Sequence, residues 1–135
     1  SAALVRGVVS LVRPDRVIAV DALSARDAAR LCRAVQVTDA GIVPGSGVGN
    51  ARSALTEETL GVPVVAVGVP TVVDARTLCA DLSGAEIDLP EDTELFVTPR
   101  DIDTRVRDSA RLVGYAIDLA LHDALTIEDI DMFLA

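Results

Sequence analysis

The sequence predicts an α/β fold in which a mainly parallel sheet lies between layers of helices. Valine-rich runs alternate along the chain with stretches whose apolar residues recur at helical spacing. Half of the residues are apolar but only 2% are aromatic, so aliphatic side chains must build the core. A chain of 135 residues has the length of one domain. Residues 1–135 are therefore expected to form a single three-layer α/β domain.

The first forty residues are predicted to alternate twice between helix and strand. Helical spacing, β-branched runs and turn residues divide this part of the chain. The predicted elements are a helix over 2–12, a strand over 16–20, a helix over 25–34 and a strand over 35–38. Ser24 is the expected N-cap of the second helix. Asp21 and Asp39 follow directly after the two strands, which puts an acidic residue at the exit of each.

The rest of the chain is predicted to hold four helices and two strands. The predicted elements are a short helix from Asn50 or Ser53 to Gly61, a strand over 62–68, a helix from Thr71 and Asp74 to Leu82, a strand over 95–97, a helix from Thr98 and Pro99 to Leu121, and a terminal helix from Thr126 and Asp129. The starts of the last three helices rest on a threonine followed by an aspartate or a proline. The polar stretch 83–94 has no periodicity and is expected to be a loop.

The segment 41–50 is predicted to be a substrate-binding loop, because it holds four glycines and a proline in ten residues. Glycine lets another chain come close to the backbone. A run of exposed N–H groups in such a loop can hold a carbonyl oxygen or an oxyanion. The candidate residues are Gly41, Pro44, Gly45, Ser46, Gly47, Gly49 and Asn50.

Asp21 and Asp39 are the candidate catalytic residues. If their strands are parallel, both carboxylates emerge at the carboxyl edge of the sheet, where open α/β sheets bind ligands. Two carboxylates in a partly dry cleft push their pKa values apart, so one can act as an acid and the other as a base. Such a pair could activate water against a peptide carbonyl, with the loop holding the oxyanion. The simpler alternative is that each aspartate only stabilises a turn or a helix start.

Charge and composition argue against several other classes of function. The net charge of −9 would repel phosphates, so no direct contact with nucleic acid is expected. No apolar run has the length of a membrane span and no signal segment opens the chain, so a cytoplasmic protein is expected. Cys32 and Cys79 have neither zinc-site nor disulfide-framework spacing. The glycine loop matches no phosphate or dinucleotide fingerprint, so neither cofactor nor metal is expected.

Several blocks of the sequence resemble the germination protease of bacterial endospores. The blocks cover 17–26, 38–50, 58–75, 97–103 and 120–129, which is nearly the whole chain. The resemblance implies an endopeptidase of the spore core that degrades small acid-soluble spore proteins during germination. It also implies a zymogen, a homotetramer and an atypical aspartic protease. The family's second essential aspartate lies in an S/T-D-x-G-I-x-P-G-S-G motif that falls on Asp39. The family's fold is similar to that of hydrogenase maturation proteases, in which a metal-binding acid takes the place of Asp21.

The sequence departs from the family pattern in three places. Ala40 replaces the usual threonine after the motif aspartate, and the connector 83–94 is short. The N-terminal half, which carries the family's first essential aspartate, has no counterpart here. The resemblance therefore predicts a C-terminal portion of the enzyme, inactive alone, with an exposed sheet edge. Two alternatives stay open, which are a non-catalytic assembly or regulatory module and a metal-dependent maturation-type protease with Asp21 and Asp39 as ligands.

Overall fold

The computed structural model describes residues 2–45, 53–85, 90 and 94–134, and it divides the chain into two compact units. Ser1–Arg100 carries the sheet, and Asp101–Ala135 is helical. The first unit contains α1 (Ala2–Val12), β1 (Val17–Ala25), β2 (Gln36–Thr38), α2 (Glu57–Leu60), β3 (Val64–Asp74), α3 (Ala75–Ser83) and β4 (Phe96–Val97). The second unit contains α4 (Ile102–Leu121) and α5 (Ile127–Leu134).

The sheet is mixed, with β3 as its central strand. The strand order is β1-β3-β2, and β4 pairs with the end of β3. β1 is parallel to β3, whereas β2 and β4 are antiparallel to it. The predicted α/β class with flanking helices is confirmed. The prediction of a mainly parallel sheet is wrong, because only one of the three strand pairs among the described residues is parallel.

The antiparallel direction of β2 follows from the connection that precedes it. β1 continues to Ala25, so the predicted N-cap Ser24 is a strand residue. The predicted helix over 25–34 is reduced to a single 3₁₀ turn, Ala28–Arg30, which is capped by Asp27. A parallel crossover needs a dozen or more residues, usually as a helix. The connection over 26–35 is shorter than that, and the chain returns along the far side of β3.

Both long strands extend beyond their predicted ends. β1 passes through Asp21 and β3 passes through Pro70, so neither strand stops where the sequence pattern changes. Pro70 lies opposite Leu23, and the register of the two strands shifts directly after this pair. Proline has no N–H to donate, and it is found in sheets at such irregular positions. The shift leaves Thr71 without an opposite residue on β1. The carbonyl oxygen of Thr71 accepts a hydrogen bond from the Thr98 hydroxyl at 2.9 Å.

The core of the first unit lies on the face of the sheet that β1 shares with α1 and α2. A buried cluster on this face consists of Ala2, Ala19, Leu55, Leu60 and Val64. The central strand is also buried on its other face, through Val67 and Val69. The central strand is therefore covered on both sides, which explains its nearly continuous apolar sequence.

Capping signals predicted the helix ends better than the helix starts. The helix over 2–12 is confirmed as α1, and Gly61 ends α2 as predicted, in a left-handed conformation with φ 74°. Asp74 is itself the N-cap of α3, accepting from Arg76 N at 2.8 Å. Thr71, the predicted start of that helix, is still part of β3.

The second unit is a pair of helices joined by a short turn. α4 ends at Leu121 as predicted, but it begins at Ile102 and Thr98 does not cap it. α5 begins at the predicted capping box, in which the Thr126 N–H donates to Asp129 Oδ2 at 2.9 Å. The Asp129 N–H donates back to Thr126 Oγ1 at 3.2 Å.

The capping box of α5 predicts a small dependence of stability on pH. The Thr126 N–H, followed by the Thr126 hydroxyl, lowers the pKa of Asp129 below its usual 3.8. A lowered pKa stabilises the folded state above the unfolded value, and this contribution is lost as the pH falls through the folded pKa. The free energy of unfolding should therefore be higher for the wild type than for Asp129→Asn at about pH 6, and the two values should converge near pH 2. Urea unfolding of both proteins measures this, and a gap that does not change with pH contradicts it.

A second stability prediction concerns Gly68 in the centre of the sheet. A Cβ at this position would lie 2.2 Å from Leu23 Cδ1 and 2.7 Å from Leu23 Cγ. Gly68→Ala should therefore lower the free energy of unfolding by about 1–3 kcal/mol, the usual cost of overpacking. In a Leu23→Ala background the same change should cost much less, because the clashing atoms are gone. Equal costs in both backgrounds, measured by urea unfolding, would show that Leu23 is not the cause.

Candidate active site

The carboxylate of Asp21 meets the glycine loop. Asp21 lies inside β1, and its side chain points to the same face of the sheet as Ala19. The Gly45 N–H donates to Asp21 Oδ2 at 3.4 Å, a long hydrogen bond in a partly buried setting. An acidic residue therefore contacts the glycine loop, and that residue is Asp21.

The strand register places an exposed amide on the same face as Asp21. Asp21 lies opposite Gly68, and Gly68 lies opposite Gln36 on β2. Gly68 is the middle residue of the row Asp21–Gly68–Gln36 and has no side chain. The side chain of Leu23 occupies the space where a Cβ of residue 68 would lie. Gln36 is exposed and was not predicted as a site residue. Only the pairing of β2 with β3 reveals its position, because nothing in the sequence around Gln36 marks it.

Asp39 lies in an exposed turn at the end of β2. Its neighbours form that turn, in which the Ala40 N–H donates to Thr38 Oγ1 at 3.1 Å. Because β2 runs antiparallel to β3, the chain leaves β2 toward the amino-terminal end of β3. Asp21, in contrast, lies on a strand parallel to β3. The prediction that both carboxylates emerge at the same edge of the sheet is therefore wrong.

The register also limits how close the two aspartates can be. Thr38 lies opposite Ala66, whereas Asp21 lies opposite Gly68, two residues further along β3. This offset is roughly 7 Å along the strands, and two inter-strand spacings add roughly 10 Å across the sheet. The Cα atoms of Thr38 and Asp21 are therefore about 12 Å apart, and Asp39 is the residue that follows Thr38. The strand geometry gives no support for a proton shared between Asp21 and Asp39.

The base of the glycine loop is closed by a short antiparallel bridge. The Ile42 N–H donates to Leu55 O at 3.0 Å, and the Leu55 N–H donates to Ile42 O at 2.8 Å. Gly41 directly precedes this bridge with φ 83°, and a Cβ there would lie 2.3 Å from Leu55 O. Only glycine fits this backbone conformation and this close approach. Gly41 therefore has a structural role at the root of the loop.

The described part of the loop runs from one aspartate to the other. It leaves β2 at Asp39, passes the bridge at Ile42, and reaches Asp21 through Gly45, which has φ 76°. Pro44 lies within this stretch. The predicted loop residues Ser46, Gly47, Gly49 and Asn50 lie outside the described residues.

The described residues form neither a metal-binding cluster nor a membrane-spanning helix. Over the described residues 2–45, 53–85, 90 and 94–134, no three His, Cys, Asp or Glu side chains are grouped so that they could hold a metal ion. No helix within those same ranges has the length and apolar character required to cross a membrane.

The comparisons with known proteins agree on one family. Residues 1–88 match the family described as germination protease. The chain is 36% identical to the germination protease of Clostridium tetani, over 99% of this chain and 51% of that protein. It is 37% identical to the germination protease of Caldanaerobacter subterraneus over the same shares. Against the Bacillus subtilis germination protease it is 55% identical over 78 residues, which cover 58% of this chain and 21% of that protein.

The alignments also show how this chain differs from its relatives. The alignment with the Clostridium tetani protein spans 166 positions, so some of these have no counterpart among the 135 residues here. The family match ends at residue 88, inside the short connector 83–94. The chain spans about half the length of the curated relatives that it matches over nearly its whole length. With a family match over residues 1–88, the chain belongs to the germination protease family.

Proposed function

We propose that this protein is part of a germination protease of the spore core that cleaves small acid-soluble spore proteins. Asp39 is its catalytic carboxylate, and Asp21 is a positioning residue for the glycine loop. The resemblance further supports an aspartic type of catalysis, synthesis as a zymogen and a homotetrameric assembly. No cofactor and no direct contact with nucleic acid or membrane enter this proposal.

One observation supports this division of roles. Asp39 is exposed and opens the loop segment, whereas Asp21 is partly buried and accepts the Gly45 N–H at the other end of that segment. An exposed carboxylate can reach a water molecule and a substrate. A partly buried carboxylate that holds a loop N–H fixes the course of the loop. The Asp21 contact therefore fixes the position of the Gly45 N–H at the end of the described part of the loop.

The proposed reaction is the addition of water to a peptide carbonyl. Asp39 takes a proton from water as the oxygen attacks the carbonyl carbon. Loop N–H groups stabilise the negative charge on the carbonyl oxygen. A second carboxylic acid then protonates the amide nitrogen as the C–N bond breaks, which leaves a new carboxyl group and a free amine.

Asp21 does not fit the role of that second acid, because the sheet keeps it distant from Asp39. We assign the role to the essential aspartate of the N-terminal half, which the resemblance implies and this chain does not contain. The present chain should therefore cleave its substrate only when that half is supplied. The alternative of a metal-dependent protease with Asp21 and Asp39 as joint ligands fits less well, since one ion binds carboxylate oxygens at about 2.0–2.6 Å.

A cleavage assay tests the proposal. A small acid-soluble spore protein is incubated with this chain, with the part of the Clostridium tetani germination protease that does not align with it, and with both together. We expect cleavage only in the mixture, and we expect Asp39→Asn to slow it by about 10²- to 10⁴-fold. Cleavage at the wild-type rate by Asp39→Asn would favour the alternative in which this chain is a non-catalytic assembly module.

A further inference from the structure

The strand that leads to Asp39 is paired on one side only in the part of the chain that the structure describes. Within residues 2–45, 53–85, 90 and 94–134, β2 pairs with β3, and no strand lies on its outer side. All three residues of β2 are exposed. Val37 keeps 67% of its surface exposed, and Val35, directly before the strand, keeps 44%. An exposed apolar strand beside a proposed catalytic residue is a candidate surface for the substrate.

The hydrogen bonds of β3 show which of its residues are turned toward β2. The Val17 N–H donates to Pro63 O at 2.9 Å. In a parallel pair, alternate residues direct their N–H and C=O groups to the same neighbour, so the odd-numbered residues of β3 are turned toward β1. The even-numbered residues are therefore turned toward β2. The bond from the Cys32 N–H to Pro70 O, at 2.7 Å, agrees with this direction.

This pattern identifies the backbone groups of β2 that face outward. Ala66 and Gly68 are even-numbered, and they lie opposite Thr38 and Gln36. In an antiparallel ladder, residues that bond to the neighbouring strand alternate with residues whose N–H and C=O groups point away from it. Thr38 and Gln36 therefore bond to β3. The N–H and C=O groups of Val37, which lies between them, point to the outer side of the sheet.

We propose that an extended segment of the protein substrate pairs with the outer edge of β2 through the N–H and C=O groups of Val37. This inference rests on the proposed function, and it adds how the substrate is held. Strand addition to a sheet edge binds extended peptides mainly through their backbone. The bound segment lies about 4.8 Å from β2, and Asp39 follows Val37 roughly 7 Å further along the strand direction. The peptide bond to be cleaved therefore lies about two residues from the substrate residue that pairs with Val37.

The length of β2 favours a substrate over a permanent partner. β2 covers only Gln36–Thr38, and Val37 alone has both backbone groups turned outward. Short edge strands avoid lasting edge-to-edge pairing between proteins. A substrate must leave after cleavage, so a weak contact suits it. A second copy of this chain fits less well, because each copy carries a net charge of −9.

Hydrogen exchange at the Val37 amide tests the proposal. The protein is the mixture of this chain with the unaligned part of the Clostridium tetani protease. The probe is a synthetic peptide that spans a cleavage site of a small acid-soluble spore protein. Its scissile C(=O)–NH group is replaced by CH₂–NH, so it cannot be cleaved. We expect the amide to exchange quickly before the peptide is added and about tenfold more slowly afterwards. Unchanged exchange overturns the proposal. Protection that is already present without the peptide also overturns it, because another strand would then cover this edge.

Backbone changes in the substrate test the pairing without altering the protein. Cleavable peptides from the same site are N-methylated at one residue at a time. A strand bonds to its neighbour through alternate residues. We therefore expect KM to rise about tenfold when the N–H that bonds to Val37 is methylated, and much less for methylation of the residues on either side. Equal effects at all of these positions contradict strand pairing.

A proline at position 37 tests the same contact from the side of the enzyme. Val37→Pro removes the outward N–H without breaking a bond to β3, and residue 36 already has the extended backbone that precedes a proline. We expect KM to rise about tenfold with a small change in kcat, because Asp39 stays in place. Val37→Ile keeps the N–H and should lose much less. An unchanged KM in folded Val37→Pro contradicts pairing at β2. If the proline variant does not fold, the N-methylated peptides decide.

The two proposals can fail independently. Asp39→Asn should lower kcat and leave the protection of Val37 by the uncleavable peptide unchanged. If the peptide protects Val37 but Asp39→Asn cleaves at the wild-type rate, the catalytic assignment is wrong and the β2 site stands. If Asp39→Asn lowers kcat while the Val37 amide stays unprotected, the β2 site is wrong and the catalytic assignment stands.

Discussion

Asp39→Asn should reduce kcat for cleavage of a small acid-soluble spore protein by about 10²- to 10⁴-fold in the combined enzyme, the range expected for loss of a general base. Asparagine has nearly the same shape but cannot take a proton from water. The exposed position of Asp39 means that the change should leave stability almost unaltered. Asp15→Asn, which alters another exposed acid of the same unit, is the control and should keep full activity.

Asp21 should respond differently, because its proposed role is to hold the Gly45 N–H. Asp21→Asn keeps an acceptor oxygen and should lose less activity than Asp21→Ala, which removes the acceptor. Both Asp21 variants should lose less kcat than Asp39→Asn, because neither removes the proposed general base. If Asp21→Asn instead matches Asp39→Asn in its loss of kcat, Asp21 transfers a proton and our assignment of roles is wrong.

Gly41→Ala should lower the free energy of unfolding by about 3 kcal/mol or more, from two separate causes. A left-handed backbone costs a residue with a Cβ about 1–2 kcal/mol. The new methyl group would also lie 2.3 Å from Leu55 O, a backbone atom that cannot turn away. Displacing Leu55 breaks the bridge to Ile42, so the loop root should open along with the loss of stability. Urea or guanidinium unfolding measures the effect.

Gly61 provides a matched control for Gly41. It also has a positive φ, 74° against 83°, but a Cβ there meets nothing within 4 Å. Gly61→Ala should therefore cost only the left-handed strain of about 1–2 kcal/mol. The difference between the two variants isolates the close approach to Leu55. Equal losses would mean that the clash at Gly41 relaxes without cost.

The parts of the fold that the sequence predicted correctly depend on contacts between near neighbours. α1 follows from apolar residues at helical spacing, Gly61 ends α2, and Thr126 with Asp129 starts α5. In each case the chain within a few residues supplies both the signal and the partner that satisfies it. The family membership is of the same kind, since the blocks that resemble the germination protease are continuous runs such as 17–26 and 38–50.

The errors concern features that a distant strand decides. Residues 25–34 have an alanine-rich composition suited to a helix, yet β1 extends to Ala25 because β3 provides a partner along its whole length. The shortened connection then sends β2 back antiparallel to β3. That reversal separates Asp39 from Asp21, which the chain order alone would have placed together.

The sequence by itself determined the α/β class and the family, and it marked the glycine loop, Asp39 at its start and Asp21 on the preceding strand, because these depend on residue type and local spacing. Only the tertiary structure decided which aspartate meets the loop and where Gln36 lies. It also showed that β1 is paired on one side only within the part of the chain that the structure describes. Strand direction and register arise from hydrogen bonds between residues far apart in the chain, and no local pattern encodes them.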